Sequence, residues 1–377
     1  MTAAATKAVR TRWMVSDATR WGLWTTVSSS VAPRARTDAT VTAVVAFGAY
    51  AMTQHLTLDQ RVLAALADGR ARPSAALAHR LGVSAAVVRR RAHSLRQQGW
   101  PLVGVAGQGY RLDPSAKPVD PVTLESAIAG YTDRVDTFAV WPIVTSTQAL
   151  VTELPQPADD RMVLAIGDRQ SAGYGRQGRA WQAPAGGAIT FSLRRWMPQP
   201  PSALAPLALR IGCAVADAVI ALGATGVQLK WPNDVLVHGA KTAGVLIDAS
   251  GSADGAMIVV GVGVNYDWGA ERGVGDRGGD LASSAHHIPT RTRCTGCLLR
   301  AVIAALDRAA TKGAGDGLGR WRELDAYQGQ PVRVLAGSGP IEGKHAGVDD
   351  EGRLQLDTDT GRRRFAAGEV SLRAQPR

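Results

Sequence analysis

Lysine is scarce in this chain, which makes a lysine inside a motif conspicuous. The 377 residues carry 43 Lys+Arg, yet the lysines are only Lys7, Lys117, Lys230, Lys241, Lys312 and Lys344. Where arginine is the habitual base, a lysine is chosen for its compact, mobile charge. Lys230 closes Val227-Gln-Leu-Lys and runs into Trp231-Pro-Asn-Asp234. Upstream, Gly173-Tyr-Gly-Arg-Gln-Gly-Arg-Ala-Trp181 places Arg176 and Arg179 among three glycines and ends on a large apolar anchor. Glycines let a backbone approach a ligand closely, and arginine forms paired bonds to phosphate oxygens. Together with Asn265 at the end of Gly261-Val-Gly-Val-Asn, these are parts for holding an anion. The chemistry they suit is stabilisation of charge at phosphorus or an acyl carbon, by positioning and electrostatics.

Other chemistries are excluded. There is no Gly-x-x-x-x-Gly-Lys-Ser/Thr, no His-Glu-x-x-His and no Gly-x-Ser-x-Gly. Gly173, Gly175 and Gly178 match a dinucleotide spacing, but the run holds two arginines and continues into Trp-Gln-Ala-Pro, not a helix. Cys294-Thr-Gly-Cys297 lacks the second pair that a tetrahedral metal site needs, so no metal ligand is expected and the pair reads as two small residues beside a helix. The third cysteine is Cys213; a low, odd count fits a reducing, cytoplasmic compartment. A net charge of +11 fits an anionic partner. No apolar run reaches the roughly 18 residues of a membrane span.

The elements that must position these residues read as follows. Residues 1–52 lack sustained periodicity, and two readings stand: translation starts at Met52, or the segment is a disordered basic tail. Residues 53–113 predict three short helices: Leu58, Val62, Leu63 and Leu66 on the first, Leu77 and Leu81 on the second with Ser74 as cap, and Val87, Val88 and Leu95 on the third with Ser84 as cap. The third also carries Arg89, Arg90, Arg91 and Arg96, without acidic neighbours to pair with. A Gly107-Gln-Gly turn between two short strands completes a winged helix-turn-helix pattern, predicting DNA binding, with a protein-contact domain as the bland alternative. Residues 114–121 are a Pro-rich linker. Residues 122–325 alternate strands and hairpins with few helices, predicting an α+β domain on a mixed or antiparallel sheet. Residues 326–377 predict a small β-barrel of short strands.

The glycine loop, Lys230-Trp-Pro-Asn-Asp234, Lys241-Thr-Ala-Gly244-Val-Leu-Ile and Gly261-Val-Gly-Val-Asn265 follow one another as in the biotin–protein ligases, which the chain resembles from residue 56 to residue 373. Gly368-Glu-Val-Ser-Leu-Arg373 resembles that family's C-terminal domain, and the N-terminal helices resemble the bifunctional members that double as the biotin operon repressor. The resemblance implies a class II synthetase-like central sheet and an SH3-like terminal barrel. It implies that biotin and ATP, with Mg²⁺, give biotinyl-5′-adenylate, and that biotin then passes to a lysine of a biotin carboxyl carrier protein. Lys230 and Arg176 would be catalytic. Ser146, Thr147, Gln148, Gln170, Tyr174, Gly175, Arg176, Lys230 and Gly244 would hold biotin. Gly173, Arg176, Arg179, Trp181, Lys230, Asn233 and Asn265 would hold the nucleotide, and Lys241 would flank the pocket. Ser84, Arg89, Arg90, Arg91 and Arg96 would meet operator DNA, as a homodimer when adenylate is bound.

Bland alternatives stand beside these roles: Trp181 and Trp231 as core, Pro232 and Asn233 as turn formers, Lys241 as a solvated hairpin residue. The chain departs from the family's pattern at Tyr174 (usually arginine), Gln148 (usually asparagine) and Ala188 (commonly asparagine). Two other readings remain open: a lipoate–protein ligase, and a regulator that senses the adenylate without transferring it.

Overall fold

The computed structural model describes residues 58–113, 118–157, 159–269, 278–285, 287–336, 339–366 and 371–374, and two short strands, β1 (Trp13–Met14) and β2 (Trp24–Thr25), which pair antiparallel. Residues 114–117 of the expected linker, most of the Gly/Asp/Arg loop after Gly269, and Gly368 to Val370 of the terminal motif lie outside the described residues.

The N-terminal unit folds as its periodicity predicts: α1 (Leu58–Leu66), α2 (Ser74–Leu81), α3 (Ala85–Gln97), then a hairpin of β3 (Leu102–Val105) and β4 (Gly109–Leu112). Val62, Leu63, Leu66, Leu77, Val88, Leu95, Trp100, Leu102 and Leu112 form its core. Gly82 ends α2 at φ 68°, a left-handed geometry that glycine adopts without strain. Ser84 caps α3 by accepting the Val87 N–H at 3.3 Å. Ser74 is not a cap: Pro73 occupies that position, and α2 begins at Ser74 without a side-chain bond.

The large unit is built on a seven-stranded mixed sheet in the order β5-β6-β7-β11-β10-β9-β8. Its strands are β5 (Val135–Trp141), β6 (Met162–Gly167), β7 (Ala188–Met197), β8 (Val227–Lys230), β9 (Asp234–Val237), β10 (Ala240–Ser252) and β11 (Gly255–Asn265). Only β5 and β6 run parallel; every other neighbour is antiparallel. A strand's side chains alternate between faces, and here the alternation separates core from site. Ile189, Phe191 and Leu193 of β7, and Ile258, Val260, Val262 and Val264 of β11, join the main core. That core packs on α4 (Pro121–Ala127), α6 (Leu207–Ala221), α7 (Arg291–Lys312) and α8 (Leu318–Leu324). The opposite face carries α5 (Thr147–Glu153) over Val163, Ala165 and Val259. Arg194, from this face of β7, donates to the carbonyls of Thr152 and Leu154 at 2.6 Å, satisfying the C-terminal end of α5.

One boundary differs from expectation. Helix α7 begins at Arg291, so Cys294 and Cys297 lie within it and not beside it. Helix α6 is preceded by a 3₁₀ turn, Pro201–Leu204. Contrary to the expectation that no apolar run is long enough, the span Pro201–Ala221 is long and apolar enough to cross a membrane, because the 3₁₀ turn extends the helix; it is 67% buried inside the protein, as befits a core helix. Helix α8 stops at Leu324. The chain is tied to the large unit from Val119, whose N–H donates to the buried Asp168 at 2.9 Å; Asp168 also pairs with Arg291 at 2.6 Å.

The C-terminal residues form a five-stranded antiparallel sheet, β15-β14-β13-β12-β16: β12 (Pro331–Ala336), β13 (Gly339–Val348), β14 (Leu354–Thr358), β15 (Gly361–Phe365) and β16 (Ser371–Ala374). Val332, Val334, Val348, Leu354, Leu356 and Phe365 are continuous with the main core.

Candidate active site

On the face of the sheet that carries α5, a cleft of about 940 Å³, including space open to solvent, gathers residues that lie far apart in the chain. Strand parity places them. Ser192 of β7 and Gly261 and Gly263 of β11 alternate with the core residues named above, as Gly244 and Leu246 of β10 do with Ala243 and Val245, and Lys230 of β8 with Leu229; all line the cleft.

At one end the lining is hydroxyl and amide. Ser146 caps α5, accepting the Gln148 N–H at 3.2 Å, which fixes Thr147 and Gln148 over the sheet. The Thr147 N–H donates to Gln170 Oε1 at 2.8 Å, and Thr147 Oγ1 lies 2.9 Å from Ser192 Oγ. Ser192 donates to Gln148 Oε1 at 3.0 Å, while Gln148 Nε2 donates to Asp248 at 2.9 Å and the Val259 carbonyl at 3.2 Å. Gln148 therefore lines the cleft as a buried amide whose bonds tie α5 to β7, β10 and β11. A β-carbon at Gly261 would lie 2.5 Å from Gln148 Oε1, so the glycine makes room for this longer amide.

The other end is cationic. The glycine loop is a small closed hairpin: Tyr174 bridges Ala180, Gly175 N–H donates to Arg179 O at 2.8 Å, and Trp181 N–H to Gly173 O at 2.8 Å. Gln177 (φ 58°) and Gly178 (φ 69°) turn its tip. Arg176 reaches Asn233 Oδ1 at 3.4 Å. Burial draws its pKa below the ordinary arginine value, opposed by the Asp234 carboxylate. Arg179 bonds Gln177 at 2.9 Å. Tyr174 is 41% exposed, its phenol pushed up by burial and by Asp248.

Lys230 ends β8 at the cleft, its Nζ 5.9 Å from the centre of the Tyr327 ring. The next residue, Trp231, is core: it is 1% exposed and donates to Gly352 O at 3.1 Å, anchoring the turn to the C-terminal unit. Asn233 shapes the turn, its amide donating to Val245 O at 2.8 Å. Lys241 is not simply solvated: it pairs with Asp234 at 2.6 Å and lies over the Trp181 ring.

Two expected site residues sit outside the lining. Gly173 is a packing position, where a β-carbon would meet Gln170 Nε2 at 2.8 Å. Asn265 is 4% exposed and turns back to the backbone, donating to Gly279 O at 2.8 Å and Lys241 O at 3.3 Å. The sequence reading missed Ser192, although Thr190 and Ser192 alternate with Ile189, Phe191 and Leu193, a period-2 signal. It also missed Asp234 as the partner of Lys241.

In the N-terminal unit, Arg89 and Arg90 are exposed on α3. Arg91 and Arg96 have partners within the unit, contrary to the expectation of unpaired charge, although Arg96 is also exposed. Arg91 lies 3.8 Å from Asp59, and Arg96 donates to Leu102 O at 2.6 Å while stacking on Tyr110. Among the described residues no group of three His, Cys, Asp or Glu gathers to hold a metal.

A mixed sheet bearing a cleft with a neutral hydrogen-bonding end and a cationic end defines an α+β enzyme for an anionic substrate. Comparison with known proteins makes this specific. Residues 140–265 match the Biotin/lipoate A/B protein ligase family, and residues 327–373 match the Biotin protein ligase C terminal domain. The bifunctional ligase/repressor BirA of Escherichia coli K12 is 32% identical over 84% of this chain and 98% of its own length. A biotin–[acetyl-CoA-carboxylase] ligase of Mycobacterium tuberculosis is 33% identical over 67% of this chain and 95% of its length. The biotin protein ligase of Aquifex aeolicus, solved with biotin and ATP, superposes with a TM-score of 0.54 at 28% identity, over 63% of this chain and 99% of that one. The chain belongs to the biotin protein ligase family.

Proposed function

We propose that this chain is a biotin–[acetyl-CoA-carboxylase] ligase that works through biotinyl-5′-adenylate. A biotin carboxylate oxygen attacks the α-phosphorus of ATP and pyrophosphate leaves. The ε-amine of an acceptor lysine on a biotin carboxyl carrier protein then attacks the acyl carbon, and AMP leaves. The observation that carries this reading is the polarity of the cleft. Its hydroxyl and amide end suits a neutral ureido head, and its cationic end suits carboxylate and phosphate.

In this reading Thr147 and Gln170 bond the biotin head, with Ser146, Gln148 and Ser192 holding their orientation. Gly244 and Gly175 let the ligand approach the backbone, and Tyr174 covers it. Lys230 stabilises the charge that develops between carboxylate and phosphate, and Arg176 closes over the adenylate. Arg179, Trp181 and Asn233 lie on the nucleotide side. Gly173 and Asn265 support that wall from behind. Mg²⁺ would accompany the phosphates of ATP.

The N-terminal unit is read as a winged helix that binds operator DNA. The exposed Arg89 and Arg90 lie on the helix that would enter the groove, while Ser84, Arg91 and Arg96 hold that helix in place. This makes the chain a repressor as well as a ligase, as the name of its Escherichia coli relative states of that protein. The five-stranded C-terminal sheet is read as an SH3-like barrel, and the divisions at 53–113, 122–325 and 326–377 as domains. From Leu246 to Ser252, β10 has β11 on one side and no partner strand on the other among the described residues. This open edge suits pairing of two copies into a homodimer.

The test is transfer of labelled biotin to an acceptor domain with ATP and Mg²⁺, with lipoate as competitor. Transfer that ignores lipoate supports the ligase. Adenylate binding without transfer would point to a sensing regulator instead, and preference for lipoate to a lipoate–protein ligase.

A further inference from the structure

We propose that Tyr327 is a positioning residue for Lys230, and that the buried His345–Asp325 pair holds it there. The inference rests on Lys230 acting in adenylation, as proposed above. Strand β8 is the outermost of the large sheet, and Lys230 is its last residue. Just beside that end runs the segment that leads from α8 into the C-terminal sheet. Asp325 bridges Leu229 in parallel, and Ala326 N–H donates to Leu229 O at 2.8 Å. This brings the Tyr327 ring to the Lys230 ammonium, 5.9 Å from ring centre to Nζ. A lysine stem has four rotatable bonds, and a ring face that attracts the cation narrows where the charge sits.

What fixes residues 325–327 is a second, independent feature. Asp325 Oδ1 accepts the Tyr327 N–H at 3.0 Å, and Oδ2 accepts His345 Nε2–H at 2.6 Å, both side chains being fully buried. The main chain of His345 grips the same turn: its carbonyl accepts Gly329 N–H at 2.8 Å, and its N–H donates to Gln330 O at 2.9 Å. Nδ1 of His345 is buried without a partner, a cost that an apolar residue would avoid. A histidine kept at that cost points to a use for its Nε2–H. The C-terminal sheet thus reaches the cleft through Lys230, from behind.

The experiment is biotin-dependent exchange of labelled pyrophosphate into ATP by the full chain, with kcat and the KM for biotin measured separately. Tyr327→Ala is expected to lower kcat about tenfold with KM within about twofold, and Tyr327→Phe, which keeps the ring, to recover most of the rate. Followed by single turnover in a Lys230→Ala background, Tyr327→Ala should add less than about twofold, because its effect passes through the lysine. His345→Leu should reproduce the kcat loss, and His345→Gln, whose amide N–H can reach Asp325, should restore it. If His345→Leu does not fold, the Tyr327 series decides alone. Equal losses with and without Lys230, a loss confined to KM, or a wild-type rate for Tyr327→Ala would overturn the proposal. No biotin-dependent exchange by the unaltered chain would instead overturn the ligase reading itself.

Discussion

The indole of Trp181 occupies the space where Gly263 would carry a side chain. A β-carbon there would lie 2.6 Å from Cζ2 of Trp181, and one at Gly244, on the adjacent strand, would lie 3.5 Å from Cζ3. Two glycines across β10 and β11 thus form a seat on which the anchor of the glycine loop rests, with Lys241 lying over the ring. Glycine within a strand weakens it; here the empty faces are filled by an aromatic side chain from another element.

Gly263→Ala should therefore act on the loop and not on the sheet. The added methyl displaces the ring of Trp181, and with it the Tyr174–Ala180 hairpin. ATP affinity should fall about tenfold, on the scale of one aromatic interaction, while the circular dichroism spectrum is kept. Titration of the variant with ATP and biotin checks it. Unchanged affinity would mean that the indole takes no part in the nucleotide wall.

Arg176→Ala removes the guanidinium that crosses from the loop to Asn233. If it closes over the adenylate, its loss should speed adenylate dissociation about tenfold or more, on the scale of a charge-assisted bond, with biotin binding less affected. Stopped-flow release of the intermediate reads this directly. An unaltered off-rate would leave Arg176 as a loop-packing residue.

Arg89 and Arg90, both exposed on α3, allow the proposed DNA function to be separated from catalysis. Arg89→Ala with Arg90→Ala should weaken operator binding and flatten its salt dependence by about two charges, roughly 0.9 in slope for each phosphate no longer neutralised. Biotin transfer should not change. Binding measured across salt concentrations distinguishes this from a helix that meets protein instead.

Burial pushes the thiols of Cys213 and Cys294 up to about 12 from an ordinary 9.0, with the Asp217 carboxylate adding to the shift at Cys213 and Cys297 to that at Cys294. A raised native pKa gives stability that is complete below the unfolded pKa and lost as pH rises through the native one. Each thiol should therefore cost about 1.4 kcal/mol per pH unit above roughly 9. Urea unfolding at pH 8 and pH 10 measures the slope. Alkylation of either thiol at pH 8 in the folded protein would contradict it.

Much of the site was legible because it lies in short runs. Lys230-Trp-Pro-Asn-Asp234 and the glycine loop keep their meaning without tertiary context, and the Ser146 cap follows from local chemistry. Ser192 was overlooked because its signal is parity within an apolar strand, not a motif. Asn265 ends a glycine-rich strand as expected, but its amide is spent on the backbone of Gly279, which no local pattern announces. Arg91 and Arg96 read as free charge because Asp59 and Leu102 meet them only after the three helices pack. Tyr327 was invisible for the same reason: its approach to Lys230 joins two parts of the chain read as separate domains.

In the proposed function, this cleft joins biotin to AMP with Lys230 at the reacting atoms. The deciding measurement is biotin-dependent exchange of labelled pyrophosphate into ATP, by the unaltered chain and by Lys230→Ala. Exchange should require biotin and fall by about 10²–10³ in the variant, the scale on which one preorganised charge-stabilising group acts, with the fold intact. Exchange at a near-normal rate in the variant would remove Lys230 from the mechanism, and exchange without biotin would contradict the assignment of the cleft.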